Sequence, residues 1–329
     1  MIAASGAIFA AATAVAAYLG YLWMFTGFTA YDDEGAMLIS LRSFVAGQAL
    51  YDKVVLQYGP FYFEFFGLFG ALGVPFDNDS GRFVTLAVWL AIALLAGVAV
   101  FAFTRNLALG LSTHLITFAT ATLTSEPMHP SGLVCLLVIG IASVALISAG
   151  RWSGPWPFLV TGALTAAAIL TKINVGGFAA ISIVFACVLT FPTLARNRAI
   201  RLVAAAGFVA VPFLLMRADL NQVLAQRYAF HIGLCALALV VATSASHPDP
   251  NRRLSELGWV FAGGAILAVL VLAVALFRGS NPNDLLHGII LYPLDQPRAY
   301  EALLQLPSTT LAWDALGLCG ALLWPSTDC

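Results

Sequence analysis

The chain has 329 residues, of which 61% are hydrophobic and 9% charged, and its mean hydropathy is +0.92. A soluble domain carries roughly 25% charged residues and cannot shield this much apolar surface from water, so a soluble enzyme, a disordered chain and a DNA-binding protein are excluded. The formal charge of −1 selects no electrostatic partner, nucleic acid included, and the five cysteines show neither CxxC nor disulfide-framework spacing. What remains is an all-α polytopic integral membrane protein.

Residues 2–28 form the first apolar run. No Lys or Arg precedes Arg42, so the basic start of a signal peptide is missing and the run reads as an uncleaved first span. The longest polar stretch, roughly 31–82, follows and holds Asp32, Asp33, Glu34, Asp52, Glu64, Asp77 and Asp79. Its apolar second half, 61–74, reads as a dip into the membrane or a short span. Further apolar runs cover roughly 83–103, 111–125, 131–149, 156–171, 174–191, 202–216, 229–245, 258–277 and 309–324. A helix needs about 20 residues to cross the hydrocarbon core, and runs of this length are too long for barrel strands. About ten transmembrane helices are expected, in one domain over 1–329 with no internal repeat. Several runs are rich in Ala and Gly, which suits close helix packing in lipid.

The loops 104–112, 150–156, 192–201 and 246–257 are denser in Arg and Lys than the loops between them. The positive-inside rule then puts them and the N-terminus in the cytoplasm, with 31–82 and a later segment, 278–308, outside. Arg42 and Lys53, just after the first span, run against the rule.

The segment YDDEGAMLISLRSFVAGQALYDKVVLQYGP carries the densest chemistry. Asp32 is predicted to cap a helix from about Asp33 to Val45, with acids at its positive end. Met37, Leu41, Phe44 and Val45 share one face, which predicts a helix lying in the membrane interface. Gly47 would end it, and Tyr58-Gly59-Pro60 would open the next element, with Pro near a helix start. Three carboxylates, Asp32, Asp33 and Glu34, thus sit beside the bilayer. They read either as a solvated helix start or as a general base or cation site.

Further along, SEPMHPSG places Glu126 and His129 on one side of a turn, a carboxylate–imidazole pair with fewer ligands than a metal site needs. The plain alternative is a polar turn between spans. Lys172, in LTKINVGGF, interrupts an apolar stretch, where a lysine is costly unless paired or at an interface. It is expected at the outer end of its span, neutralising a phosphate or simply snorkelling, and Asn174, Gly176 and Gly177 suit a turn. Arg217, Arg227, Tyr228 and Arg278 are further outer-side residues able to meet phosphate. Trp23, Trp89, Trp259 and Trp313 read as interfacial belt residues. His114, His231, His247 and His287 have no partner at metal spacing and read as structural, and the cysteines inside apolar runs read as packing residues.

A first span, then Asp-Glu on an outside interfacial helix, then GQALYDKVVLQYGP resembles the GT-C class of membrane glycosyltransferases. The nearest likeness is to the bacterial family with RgtA-like and aminoarabinose-transferase-like proteins; protein O-mannosyltransferases also carry Asp-Glu after the first span. The resemblance is strongest over about residues 20–180. It implies a sugar donor on a polyprenyl phosphate and a lipid, glycan or protein acceptor. Transfer would invert the anomeric carbon at the outer, periplasmic face of the plasma (inner) membrane. Under it Asp33 is the catalytic acid/base, flanked by Asp32 and Glu34. Glu126, with His129, takes the second acidic position, where a divalent cation or the acceptor is held. Members of the class often continue with further spans after a segment like 278–308, whereas this chain ends at GLCGALLWPSTDC, as a short variant or a truncated chain would. Asp33 would take the acceptor's proton and Lys172 would balance charge on the leaving phosphate. The competing class is a multi-span transporter or permease, which predicts paired halves and ionisable residues at the midplane. A structural subunit would need none of these polar positions.

Overall fold

The computed structural model describes residues 2–26, 33–54, 56–148, 154–217, 220–244, 248–295 and 309–323, and the regular elements among them are helices. In chain order they are α1 (Ile2–Phe25), α2 (Glu34–Val45), α3 (Pro60–Ala71), α4 (Asn78–Thr104), α5 (Leu107–Thr124), α6 (Pro130–Ser148), α7 (Trp156–Ile169) and α8 (Ile173–Thr190). There follow α9 (Pro192–Ala195), α10 (Arg198–Leu215), α11 (Val223–Ala242), α12 (Ser255–Phe277), α13 (Pro282–Leu286), a π-helical turn (His287–Leu291), α14 (Tyr292–Asp295) and α15 (Thr309–Leu323). Eight of them (α1, α4, α5, α6, α8, α10, α11 and α12) are long and apolar enough to cross a membrane. The two that separate this count from the expected ten are short, 14 residues in α7 and 15 in α15.

The helices group into two compact units, Met1–Ala179 with Leu257–Pro297, and Ala180–Glu256 with Arg298–Cys329. The second unit holds α9, α10, α11 and α15, with α11 packed on both α10 and α15. In the first unit α4 is the central helix and packs on α1, α2, α5 and α6. Its start is set by Asp77, whose carboxylate accepts the Ser80 N–H at 2.8 Å, so the helix begins before its apolar run does. Trp89 lies inside α4, fully buried; it is a core residue and not one of the belt residues expected. Trp23 and Trp259 are exposed, and nothing is described of the Trp313 side chain. Two small residues let α7 and α12 touch: a Cβ on Gly162 would lie 1.9 Å from the Val260 carbonyl oxygen, and one on Gly263 2.0 Å from that of Leu159.

The polar stretch after α1 folds onto the helices rather than into a lipid interface. Met37, Leu38, Leu41 and Phe44 of α2 are buried in protein. The period that predicted an interfacial helix is present, but α3 and α4 cover most of the face, and Val45 alone of the predicted set is exposed. The N-cap residue of α2 is Asp33, and its side chain makes no capping bond; Asp32 lies outside the described residues. α3, at 12 residues, is too short to be the span that was one expectation for this stretch, and it buries Tyr62, Phe63 and Phe66. Arg278 does not face outward for phosphate: its guanidinium lies 4.0 Å from the Phe44 ring centroid and donates to the Phe44 carbonyl.

One ion pair ties α2 to the bundle. Arg82, in the first turns of α4, donates through Nε and Nη2 to the two oxygens of Glu34, each at 2.9 Å, and through Nη1 to the carbonyl of Met24 at 2.9 Å. Glu34 is 4% exposed. One guanidinium thereby joins the end of α1, the start of α2 and the start of α4. Removing one member leaves the other charge buried and uncompensated, at about 3–5 kcal/mol. Arg82→Met should therefore lower the unfolding free energy by that order, with Glu34→Leu/Arg82→Met regaining a large part, as read by thermal or detergent-driven unfolding of the purified protein.

Candidate functional site

Four segments meet at the end of the first unit where α1 finishes and α4 begins: the start of α2, the residues before α3, the turn 125–129 and the turn 170–172. The last two are short links, from α5 to α6 and from α7 to α8. The backbone N–H of Asp33 donates to Glu126 Oε2 at 3.3 Å. Asp33 Oδ2 lies 3.7 Å from His129 Nε2, and the Tyr58 hydroxyl lies 3.2 Å from the same nitrogen. Lys172 Nζ stands 5.8 Å from the Tyr58 ring centroid, a cation–π distance. Asp33, Glu126, His129, Tyr58 and Lys172, spread over 140 positions of sequence, thus form one cluster.

The YGP motif has a backbone role. Gly59 N–H donates to the Thr171 carbonyl at 2.9 Å and Phe61 N–H to that of Leu170 at 3.0 Å, so the motif docks on the turn that carries Lys172. A Cβ on Gly59 would lie 2.0 Å from the Leu170 carbonyl oxygen, which leaves glycine as the residue that fits. Pro60 occupies the first turn of α3, where its missing N–H removes no bond. The Tyr58 carbonyl accepts from the Tyr51 hydroxyl at 2.8 Å.

The turn before α6 is held from both sides. Tyr62 donates its hydroxyl to the Met128 carbonyl at 2.7 Å, and the Met128 N–H donates to Thr85 Oγ1 at 2.8 Å. Met128 has φ 57, the left-handed region, and is buried. Strain of this kind persists only where the surroundings enforce it, and here it aims His129 at Asp33.

Ser131 N–H donates to His129 Nδ1 at 3.2 Å, so Nδ1 is an acceptor and the proton of the neutral ring sits on Nε2, toward Tyr58 and Asp33. Burial, reinforced by the Lys172 charge and opposed by Asp33, lowers the His129 pKa below the ordinary histidine range. Burial likewise lowers that of Lys172, again opposed by Asp33. The His129 side chain is 18% exposed and that of Asp33 52%. The carboxylate is therefore reachable from outside while the groups behind it are partly dry.

These residues do not fit the divalent cation that the carboxylate–imidazole pair suggested. Glu126 spends a carboxylate oxygen on the Asp33 backbone, and Asp33, Glu126 and His129 do not converge as three donors. The group that does so among the described residues is His231, Cys235 and Asp314 in the second unit, within 4.8 Å of one another. That also corrects the reading of His231 as unpartnered: its partner comes from α15, 83 positions away, beyond any spacing rule. Of the other expected site residues, Glu34 is committed to Arg82, and Asn174 Oδ1 accepts the adjacent Val175 N–H at 2.9 Å. Asn174 and Gly176 lie in the first turns of α8, and the turn itself is residues 170–172. Arg82, Tyr62 and Thr85 were not expected as site-building residues. For Arg82 a signal existed: an arginine at the head of an apolar run needs a partner.

Comparison of the chain with protein families, curated proteins and solved structures returns no match. The chemistry must be argued from the cluster itself and what flanks it.

The opposite face of α3 lines a groove of about 500 Å³ with α2 and α12, walled by Phe44, Phe61, Phe65, Leu68, Leu270 and Val274. Glu64 faces it, and burial, opposed by Arg278, pushes its carboxyl up to about 8. It is largely protonated at neutral pH, which suits an apolar wall.

The lowered His129 pKa gives a signed expectation. Between the unfolded value, about 6.5, and the lower folded one, the unfolded chain binds the extra proton, so stability falls as pH falls through that window. Thermal unfolding from pH 7.5 to 5 should show this fall, and His129→Gln should flatten it relative to the unsubstituted protein.

Proposed function

We propose that the protein is a membrane glycosyltransferase of GT-C type, which moves a sugar from a polyprenyl-phosphate donor to a hydroxyl or amine acceptor. The observation that carries this reading is the half-exposed Asp33 carboxylate, held 3.7 Å from the partly buried His129 and in the field of Lys172. Transfer from a sugar phosphate needs a base for the acceptor and positive charge for the phosphate, and it needs no strong acid because the leaving group is already good. Asp33 takes the acceptor proton as the acceptor attacks the anomeric carbon from the face opposite the phosphate. The new bond to that carbon forms as the carbon–oxygen bond to phosphate breaks, so configuration inverts and polyprenyl phosphate departs with the bonding electrons. Lys172 balances the charge that gathers on the phosphate. His129, neutral with its proton on Nε2, stands beside Asp33 without neutralising it.

A lipid-linked donor also accounts for the location. The cluster lies at the ends of membrane helices, where a polyprenyl headgroup resides, and the apolar groove beside α3 offers a place for the tail. In this reading the cluster faces outward, as the basic loops at the other ends of the spans favour.

Purified protein in detergent, given radiolabelled polyprenyl-phosphate sugars and a membrane extract as acceptor, should transfer label. Asp33→Asn should cut turnover by roughly 10²–10⁴-fold, the usual worth of a positioned acid–base group, with donor binding retained. Lys172→Met should raise the donor KM. Full activity of Asp33→Asn would remove Asp33 from the mechanism, and solute uptake without transfer would favour a transporter.

A further inference from the structure

His231 and Cys235 sit one turn apart on α11, on the same face, and Asp314 reaches them from α15. His231 Nδ1 lies 2.5 Å from Asp314 Oδ2, and Cys235 Sγ donates to Asp314 Oδ1 at 3.6 Å. All three ligand atoms fall within 4.8 Å of one another. The place is unusual for such groups. α11 is an apolar 20-residue helix long enough to cross a membrane, and His231 is about 12 Å along it, near its middle. Ionisable side chains at that depth are costly and are kept for a purpose. The Asp314 side chain is 4% exposed, whereas Cys235 is exposed and His231 is 24% exposed, so one side of the cluster is open.

We propose that His231, Cys235 and Asp314 form a binding site for a zinc-class transition-metal ion. One nitrogen, one sulfur and one oxygen donor is a set that suits Zn²⁺, while Mg²⁺ and Ca²⁺ prefer oxygen alone. The charges also close: a thiolate and a carboxylate cancel the two positive charges of the ion, so the filled site is neutral and cheap to hold in a low-dielectric span. On binding, His231 carries its ring proton on Nε2 and gives the Nδ1 lone pair to the ion, and the Cys235 thiol releases its proton to solvent. Three protein ligands leave the fourth tetrahedral position to water on the open side. The site shares no residue with the Asp33 cluster.

The test uses the purified full chain in detergent, stripped with a chelator and titrated with Co²⁺ alone. One Co²⁺ per chain should bind, with visible d–d bands and a thiolate-to-cobalt charge-transfer band, and Zn²⁺ should displace it. Cys235→Ser should lose the charge-transfer band, and Asp314→Asn should lose tight binding altogether. Zn²⁺ should raise the unfolding temperature of the unsubstituted protein and leave that of Cys235→Ser much less changed. Cys235 is exposed, so that variant keeps its fold and the comparison stands if Asp314→Asn unfolds. A folded protein with no cobalt bands and no thermal shift overturns the proposal. So does a charge-transfer band unchanged in Cys235→Ser, which would place the ion on another cysteine.

Discussion

The guanidinium of Arg82 joins three chain segments at once. Two of its nitrogens hold Glu34 and a third holds the last turn of α1 through Met24. Both groups are largely buried, so neither charge has water as an alternative partner, and the pair is worth far more in place than when half is lost. Because Glu34 opens α2, this contact fixes the direction in which the helix leaves the bundle. Asp33, one residue earlier, is thereby set over the turn that carries Glu126 and His129. An acid read as a catalytic candidate is thus the anchor, and its neighbour is left half-exposed with its carboxylate available.

The second constraint is on the opposite wall. Gly59 lets the chain lie against Leu170 and Thr171, which brings Tyr58 to His129 and to Lys172. Tyr62, a turn further along α3, pins the strained Met128. Chemistry and scaffold share residues here, so substitutions at Tyr58 or Gly59 would disturb the geometry of Lys172 and His129 together. This is why the proposed base, at the start of α2, and the proposed phosphate partner, in the turn 170–172, can meet from positions far apart in sequence.

Much of the fold was legible because apolar length is a strong signal: the runs 83–103, 131–149 and 258–277 became α4, α6 and α12 with extensions of a few residues at their polar starts. Asp33, Glu126, His129 and Lys172 were legible as chemistry because polar groups are rare in this chain. Their meeting at the outer ends of the spans was expected; the contacts that bring it about, Gly59 docked on the turn 170–172 and Tyr62 on Met128, were not, since they depend on which turns stand side by side. Periodicity marked the apolar face of α2 but could not say whether lipid or protein covers it, and protein does. Trp89 was misread for a related reason: an indole near a span end and one packed in a helix core have the same sequence context. His231 looked solitary because its partner, Asp314, enters from α15.

The account stands on the Glu34–Arg82 pair holding the start of α2 against the turn 125–129. In a cysteine-free background, Asp33→Cys/His129→Cys can be joined by a short bifunctional thiol reagent, and the rate of joining reports how firmly the two segments are opposed. The prediction is rapid, near-complete cross-linking that becomes several-fold slower and incomplete when Arg82→Met is added. No cross-link with Arg82 present, or the same rate with and without it, would contradict the account.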